Sequence, residues 1–230
     1  MSEVDQKKLS EERVQSSFLA GIEKKALLWI APKLPNWVTP DMMTFLGLFA
    51  MVLIGISYYL VKYHWSFLLM ANLGLIVNWL GDSLDGTLAR VRNQQRPKYG
   101  YYLDHLVDAF GMAFLIFGLA YSGLVSQPFI WLILALFLIA SINVYLATNS
   151  VHIFKISYLR MSTTEARIFV FILNIILIFV KKISFFGFVF YWLDFVAGLF
   201  SVFLLVAILR SAIKNLTRLD REERAKWADT

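Results

Sequence analysis

The sequence predicts an all-α membrane protein: six transmembrane helices preceded by an amphipathic helix lying in the membrane interface. Three observations lead there. Hydrophobic residues make up 59% of the chain and charged residues 17%, against about 45–50% and about 25% in ordinary soluble domains. Several apolar runs reach about 20 residues, the length that crosses a hydrocarbon core of roughly 30 Å. The basic residues sit between and beside those runs, as topology signals do.

The same composition excludes other classes. A net charge of +6 without one soluble basic module speaks against nucleic-acid binding and for contact with anionic membrane lipids. With no Cys there is no disulfide, thiolate chemistry or Cys-type zinc site. Residues 1–15 are polar and mixed in charge, so no cleavable signal peptide is expected, and no repeat of fixed period is visible.

Taken in order, residues 1–15 form a polar tail. In residues 16–34, Phe18, Ile22 and Trp29 recur near helical spacing, interrupted by Glu23, Lys24 and Lys25; this is the interfacial helix, apolar side down, with packing on the protein as the rival reading. Pro35 and Pro40 break it. Thr39 then caps a new helix, with Pro40 at its first position and Asp41 favoured by the helix dipole. The six-helix domain occupies 35–215, with spans at about 42–63, 67–88, 101–122, 128–149, 165–180 and 186–210. Lys62, Tyr63 and His64 make the first turn, and 91–99 form a basic loop. Residues 216–230 are a charged tail whose i, i+4 pairs suit a helix entering water.

An even number of spans puts both termini on one side. Arg90, Arg92, Arg96 and Lys98 follow span two, and Lys155, Arg160 and Arg167 follow span four, whereas the opposite side has Lys62, Lys181 and Lys182. By the positive-inside tendency, the termini and the end of span two face the cytoplasm.

That end carries the chemistry. Between residues 24 and 219 there are seven acids, and four of them, Asp82, Asp85, Asp104 and Asp108, fall within 27 residues. Carboxylates facing lipid cost roughly 2.5–3.5 kcal/mol each, so four kept together point to use. At about 100° per residue, Asp82 and Asp85 lie roughly 60° apart on one helix face, and Asp104 and Asp108 roughly 40° apart on another. On neighbouring antiparallel spans the two pairs meet at similar depth. Their mutual repulsion calls for cations; two Mg2+ or Mn2+ ions take oxygen ligands and leave positions open for a diphosphate. Gly86, Ala89 and Gly100 keep the same faces small, and Arg90 offers a planar fork to phosphate. Asn78, one turn before Asp82, can support the site. His105 is adjacent but faces elsewhere on the helix, since the spacing does not bring it to Asp104, and reads as a support behind the site or as structural.

The order Asp82-x-x-Asp85-Gly86-x-x-Ala89-Arg90, nine residues, Gly100-x-x-x-Asp104-x-x-x-Asp108 resembles the signature of the CDP-alcohol phosphatidyltransferase family. The family spacer is usually eight residues; the extra one falls in the loop holding Pro97, where insertion costs little. The resemblance implies an enzyme that moves a substituted phosphate from a CDP-linked donor to an alcohol, releasing CMP, in phospholipid synthesis. It implies that Asp82, Asp85, Asp104 and Asp108 bind the metals, with Asp108 also the general base. Gly86, Ala89, Arg90 and Gly100 would line the nucleotide site. It also implies a homodimer. The six-span size is similar to that of prokaryotic members, and so to an inner or plasma membrane. Asp104-His105 and Thr164-Glu165 resemble the choline and ethanolamine phosphotransferase branch, although helix capping explains the second pair equally well.

Two rival functions use the same acids. A cation transporter would need a matching acidic array in the far half of the membrane. An aspartate-rich prenyltransferase would need a second acidic motif on a later helix pair, where Asp194 is the only aspartate in spans four to six. Asp194 itself, about nine residues inside span six, is expected to pair with Lys181 or Lys182 or to line a cavity. Asn143, Asn149 and Asn174 read as polar contacts between helices.

Overall fold

The computed structural model describes residues 20–151, 163–180, 183–185, 188–190 and 192–228. The expectations for residues 1–15, Phe18, Lys155, Arg160, Lys181 and Lys182, and for the side chain of Asn149, lie outside the described residues.

The chain folds as helices α1 (Ala20–Ile30), α2 (Pro40–Leu60), α3 (Phe67–Val91), α4 (Pro97–Ala120), α5 (Gln127–Val151), α6 (Thr163–Phe179) and α7 (Trp192–Ala228). Among the described residues, five are long and apolar enough to cross a membrane: α2, α3, α4, Gln127–Thr148 of α5, and Trp192–Trp227 of α7. The fifth expected span is α6, whose 17 residues extend about 25 Å.

Local signals account for most boundaries. Thr39 Oγ1 accepts from the Met42 N–H at 3.3 Å, with Pro40 opening α2 and Asp41 in its first turn. The Asn93 backbone takes φ 54°, a left-handed conformation that Asn tolerates better than most residues. It closes α3, with the Gln94 N–H donating to the Ala89 carbonyl at 2.8 Å. Pro97 then begins α4 instead of lying in the loop as expected, because its fixed φ and missing N–H suit a first helical position.

The last span differs from expectation. It begins at Trp192, while Ile183–Phe185 and Phe188–Phe190 pair as antiparallel strands, with Ile183 opposite Phe190 and Phe185 opposite Phe188. The stretch ISFFGFVF is aromatic, β-branched and split by Gly187, which favours a hairpin over a helix start. Asp194 is therefore in the first turn of α7, not deep within it. Its carboxylate accepts from the Ser126 N–H at 2.7 Å and the Ser126 hydroxyl at 2.5 Å, so it ties α7 to the start of α5.

The centre of the bundle is α2. Helices α3 and α4 pack on it, α6 packs on α3, and α5 packs on α4 and α7. Small residues allow the closest approaches. A Cβ at Gly81 would lie 2.7 Å from the Gly47 nitrogen, and one at Gly118 would lie 1.9 Å from the Gly55 carbonyl oxygen, the kind of backbone contact that holds helices together in lipid. A buried polar seam adds to it. Tyr58 donates to Asn174 at 3.1 Å, Asn174 donates to Asn72 at 2.8 Å, and Asn72 donates to the Phe171 carbonyl at 3.4 Å. Asn143 likewise donates to Ser211 at 3.0 Å, joining α5 to α7.

Helix α1 packs on the protein with one side and leaves apolar residues exposed on another. Leu27 and Ala31 are buried with Val38, Leu84 and Leu88 against the end of α3, while Ile22 and Trp29 remain exposed. The basic residues after α3 fasten this region. Arg92 donates to the carbonyls of Leu34 and Pro35 at 3.0 Å each and to that of Val38, and Arg96 pairs with Asp41.

Candidate active site

The motif helices α3 and α4 do not pack on each other as neighbours. Each packs on α2, and the acids face one another across a cleft whose floor is α2. Thr44, Gly47, Leu48 and Met51 form that floor, Asn78, Asp82 and Asp85 one wall, and Asp104, Val107 and Asp108 the other. The expected antiparallel pair is thus corrected to a trio. Helix α2 is the missing member because its small residues let α3 settle against it at Gly47 and Gly81.

All four carboxylates reach the cleft, but they are not equivalent. Asp82, Asp104 and Asp108 each offer one oxygen, and these atoms lie within 4.8 Å of one another. Asp85 is turned to the floor, where it accepts from the Thr44 hydroxyl at 2.9 Å and from the Gly86 N–H. The three carboxylates, hard oxygen donors on two helices, fit Mg2+ or Mn2+.

Gly86, Ala89, Arg90 and Gly100 are not among the residues lining the acidic cleft. They continue its two helix faces toward the α3–α4 turn. A Cβ at Gly86 would meet nothing closer than the Arg90 guanidinium, at 3.5 Å, and one at Gly100 would meet nothing within 4 Å. The protein's own packing therefore does not require glycine at either position. Arg90 is exposed and lies back over Gly86, donating to the Thr87 hydroxyl at 3.2 Å.

The site contains a cation that sequence reasoning assigned to topology alone. Arg167, one turn into α6, pairs with Asp82 through Nη2 and donates from Nε to the Asn78 side-chain oxygen at 2.8 Å. Asn78 in turn donates to the Gly47 carbonyl at 3.1 Å, so it connects floor, wall and guanidinium. A signal for Arg167 was available. An arginine near the start of an otherwise apolar helix is costly unless paired, so it calls for an acidic partner.

Glu23 was also missed. Its carboxylate accepts from the Trp79 indole and the Ser83 hydroxyl of α3, both at 2.9 Å, and from the Thr164 hydroxyl of α6 at 3.0 and 3.1 Å. Trp79 and Ser83 are one turn apart, and Ser83 lies beside Asp82. One side chain of α1 thus joins the two helices that supply Asp82 and Arg167. The Thr164 side chain serves this junction. His105 is packed as a structural residue would be, but it is not turned away from Asp104. Its ring lies between Tyr101 and Tyr145, at centroid distances of 4.1 and 5.1 Å, and its Nδ1 is 3.5 Å from an Asp104 oxygen. Tyr101, one turn earlier, presses against the imidazole on the side that the helical wheel alone leaves open.

Comparison with known proteins agrees with the geometry. The family model for CDP-alcohol phosphatidyltransferase matches residues 37–210. The chain is 33% identical over 88 residues to archaetidylinositol phosphate synthase of Pyrococcus horikoshii, covering 38% of this chain and 44% of that protein. It is 32% identical over 124 residues to cholinephosphotransferase 1 of Xenopus laevis, covering 49% of this chain and 30% of that one. The matched parts span less than half the length of these relatives. The family match takes in α2 to α6, the helices that bring the acids and Thr44 to one cleft and Arg167 onto Asp82, and on it the chain belongs to the CDP-alcohol phosphatidyltransferase family.

Proposed function

We propose that the chain transfers a substituted phosphate from a CDP-linked donor to an alcohol and releases CMP, in phospholipid synthesis. The observation that carries this reading is the convergence of Asp82, Asp85, Asp104 and Asp108 on one cleft. Asp82, Asp104 and Asp108 would hold divalent metal, Mg2+ or Mn2+ and two ions in the full site, with Asp85 completing the set from the floor. Bound metal would neutralise the donor diphosphate.

The chain's own groups do the rest. Asp108 is exposed to the cleft and takes the proton of the acceptor hydroxyl as its oxygen attacks phosphorus. The bond from that phosphorus to the CMP oxygen breaks, and CMP leaves with the electron pair. Thr44 fixes Asp85, and Asn78 fixes Arg167, so two members of the site are oriented before substrate arrives. The open backbone at Gly86 and Gly100, with the small Ala89 and with Arg90 above, would receive the cytidine diphosphate.

The basic residues Arg92, Arg96 and Lys98 support a cytoplasmic position for the cleft. From there, water-soluble nucleotide and membrane lipid both have access. A homodimer belongs to the same proposal.

The test is a substrate matrix. Purified protein receives CDP-diacylglycerol with polar alcohols, or CDP-linked headgroups with diacylglycerol, each with Mn2+, and CMP is counted. Release of CMP in one arm identifies which substrate carries the lipid. No CMP in any arm, with Mn2+ flux into liposomes, would reject the reading.

A further inference from the structure

One acid of the cleft already has a positive partner. The Arg167 guanidinium reaches it from α6, outside the motif, and its side chain is 17% exposed against 27% for Asp82. Three donor sites describe its position. Nη2 is on Asp82, Nε is on Asn78, and Nη1 is buried with no hydrogen-bond partner among the described residues. A buried N–H group without a partner is costly, so this position is held by the attraction of Asp82 rather than by a fully satisfied socket. The carboxylate it uses is also one of the three whose oxygens lie within 4.8 Å of one another.

We propose that Arg167 is a resident counter-charge that competes with divalent cations for Asp82. Without metal, the guanidinium offsets the repulsion among the carboxylates and keeps Asp82 in place. With metal at Asp82, the same guanidinium faces a like charge and loses its partner, leaving Nη1 and Nη2 available to an anionic group in the cleft. Arg167 thereby weakens metal binding in the free protein. It is a positioning residue, and the inference rests on the metal reading of the cleft given above.

The experiment measures Mn2+ affinity by electron paramagnetic resonance on the full chain in detergent. Arg167→Gln should bind Mn2+ about tenfold tighter than the wild type, the factor expected from removing one like charge nearby. Its melting temperature should fall without metal and recover with saturating Mn2+. Arg167→Lys keeps the charge but loses the fork. It should tighten binding by a smaller factor, about threefold, and it carries the test if the Gln variant does not fold. In an Asp82→Asn background the Arg167 substitution should lose most of its effect.

Unchanged or weaker Mn2+ binding in either Arg167 variant, with normal binding in the wild type, overturns the competition and leaves Arg167 as a support for Asp82. An effect that persists in full in the Asp82→Asn background also overturns it. Absence of Mn2+ binding by the wild type rejects the metal reading itself, and the inference with it.

Discussion

The two ends of α4 meet α2 in opposite ways. At Gly118 the backbones touch, and a Cβ there would lie 1.9 Å from the Gly55 carbonyl oxygen; a Cβ at Gly55 would lie 2.4 Å from the Phe114 carbonyl oxygen. At Gly111 the Met51 side chain already separates the helices, 3.0 Å from an added Cβ, and at Gly100 nothing lies within 4 Å. Both kinds of glycine belong to one helix. The first kind is small because another helix is there. The second is small although nothing of the protein is there. The difference teaches that a glycine in a membrane helix has to be read with its neighbours, and that an unfilled one beside the acids marks room for something other than protein.

Substitutions can break that contrast. The largest effect is expected from Gly118→Leu, where overpacking of about 3 kcal/mol or more has no flexible atom to absorb it; the variant should fail to give a monodisperse peak in detergent. A normally melting Gly118→Leu protein would mean that the contact is not tight. Next comes Asp108→Asn at the open end, with turnover lost by about 10²–10⁴-fold, the usual contribution of a general base, while binding of the CDP donor persists. Full turnover would remove Asp108 from that role.

Gly86→Leu comes third. It should raise the KM for the CDP donor by roughly tenfold or more, from about 1–3 kcal/mol of misfit, with the melting temperature unchanged. If stability fell and KM held, Gly86 would join the packing glycines. Thr44→Val is the smallest. Losing the hydroxyl that holds Asp85 should lower kcat about fivefold, for a hydrogen bond of about 1 kcal/mol, and an unaltered kcat would show that Asp85 orients itself.

Much of this was legible in the chain, and for local reasons. The apolar runs gave the helices, Thr39-Pro40-Asp41 gave the start of α2, and the spacing of Asp82, Asp85, Asp104 and Asp108 gave two faces that do meet. What spacing leaves out is which helix stands between those faces. The floor of α2 was not foreseen, because Thr44 and Gly47 carry no pattern of their own. Arg167 and Glu23 act over 85 and 141 residues of chain, on Asp82 and Thr164, beyond the reach of any periodicity. Asp194 was misplaced because a hairpin took the first residues of the expected last span.

The contact at Gly55 and Gly118 also works as the pivot of a lever. Fourteen residues separate Gly118 from Asp104, an arm of about 21 Å along the helix. A tilt of roughly 3° about the pivot moves the far end by about 1 Å, and a displacement of that size in a reacting site can cost about 10²-fold in rate. The gap between the acidic walls is therefore sensitive to an angle set two-thirds of a membrane away. A substitution at the pivot that still folded would announce itself as lost catalysis at residues it never touches.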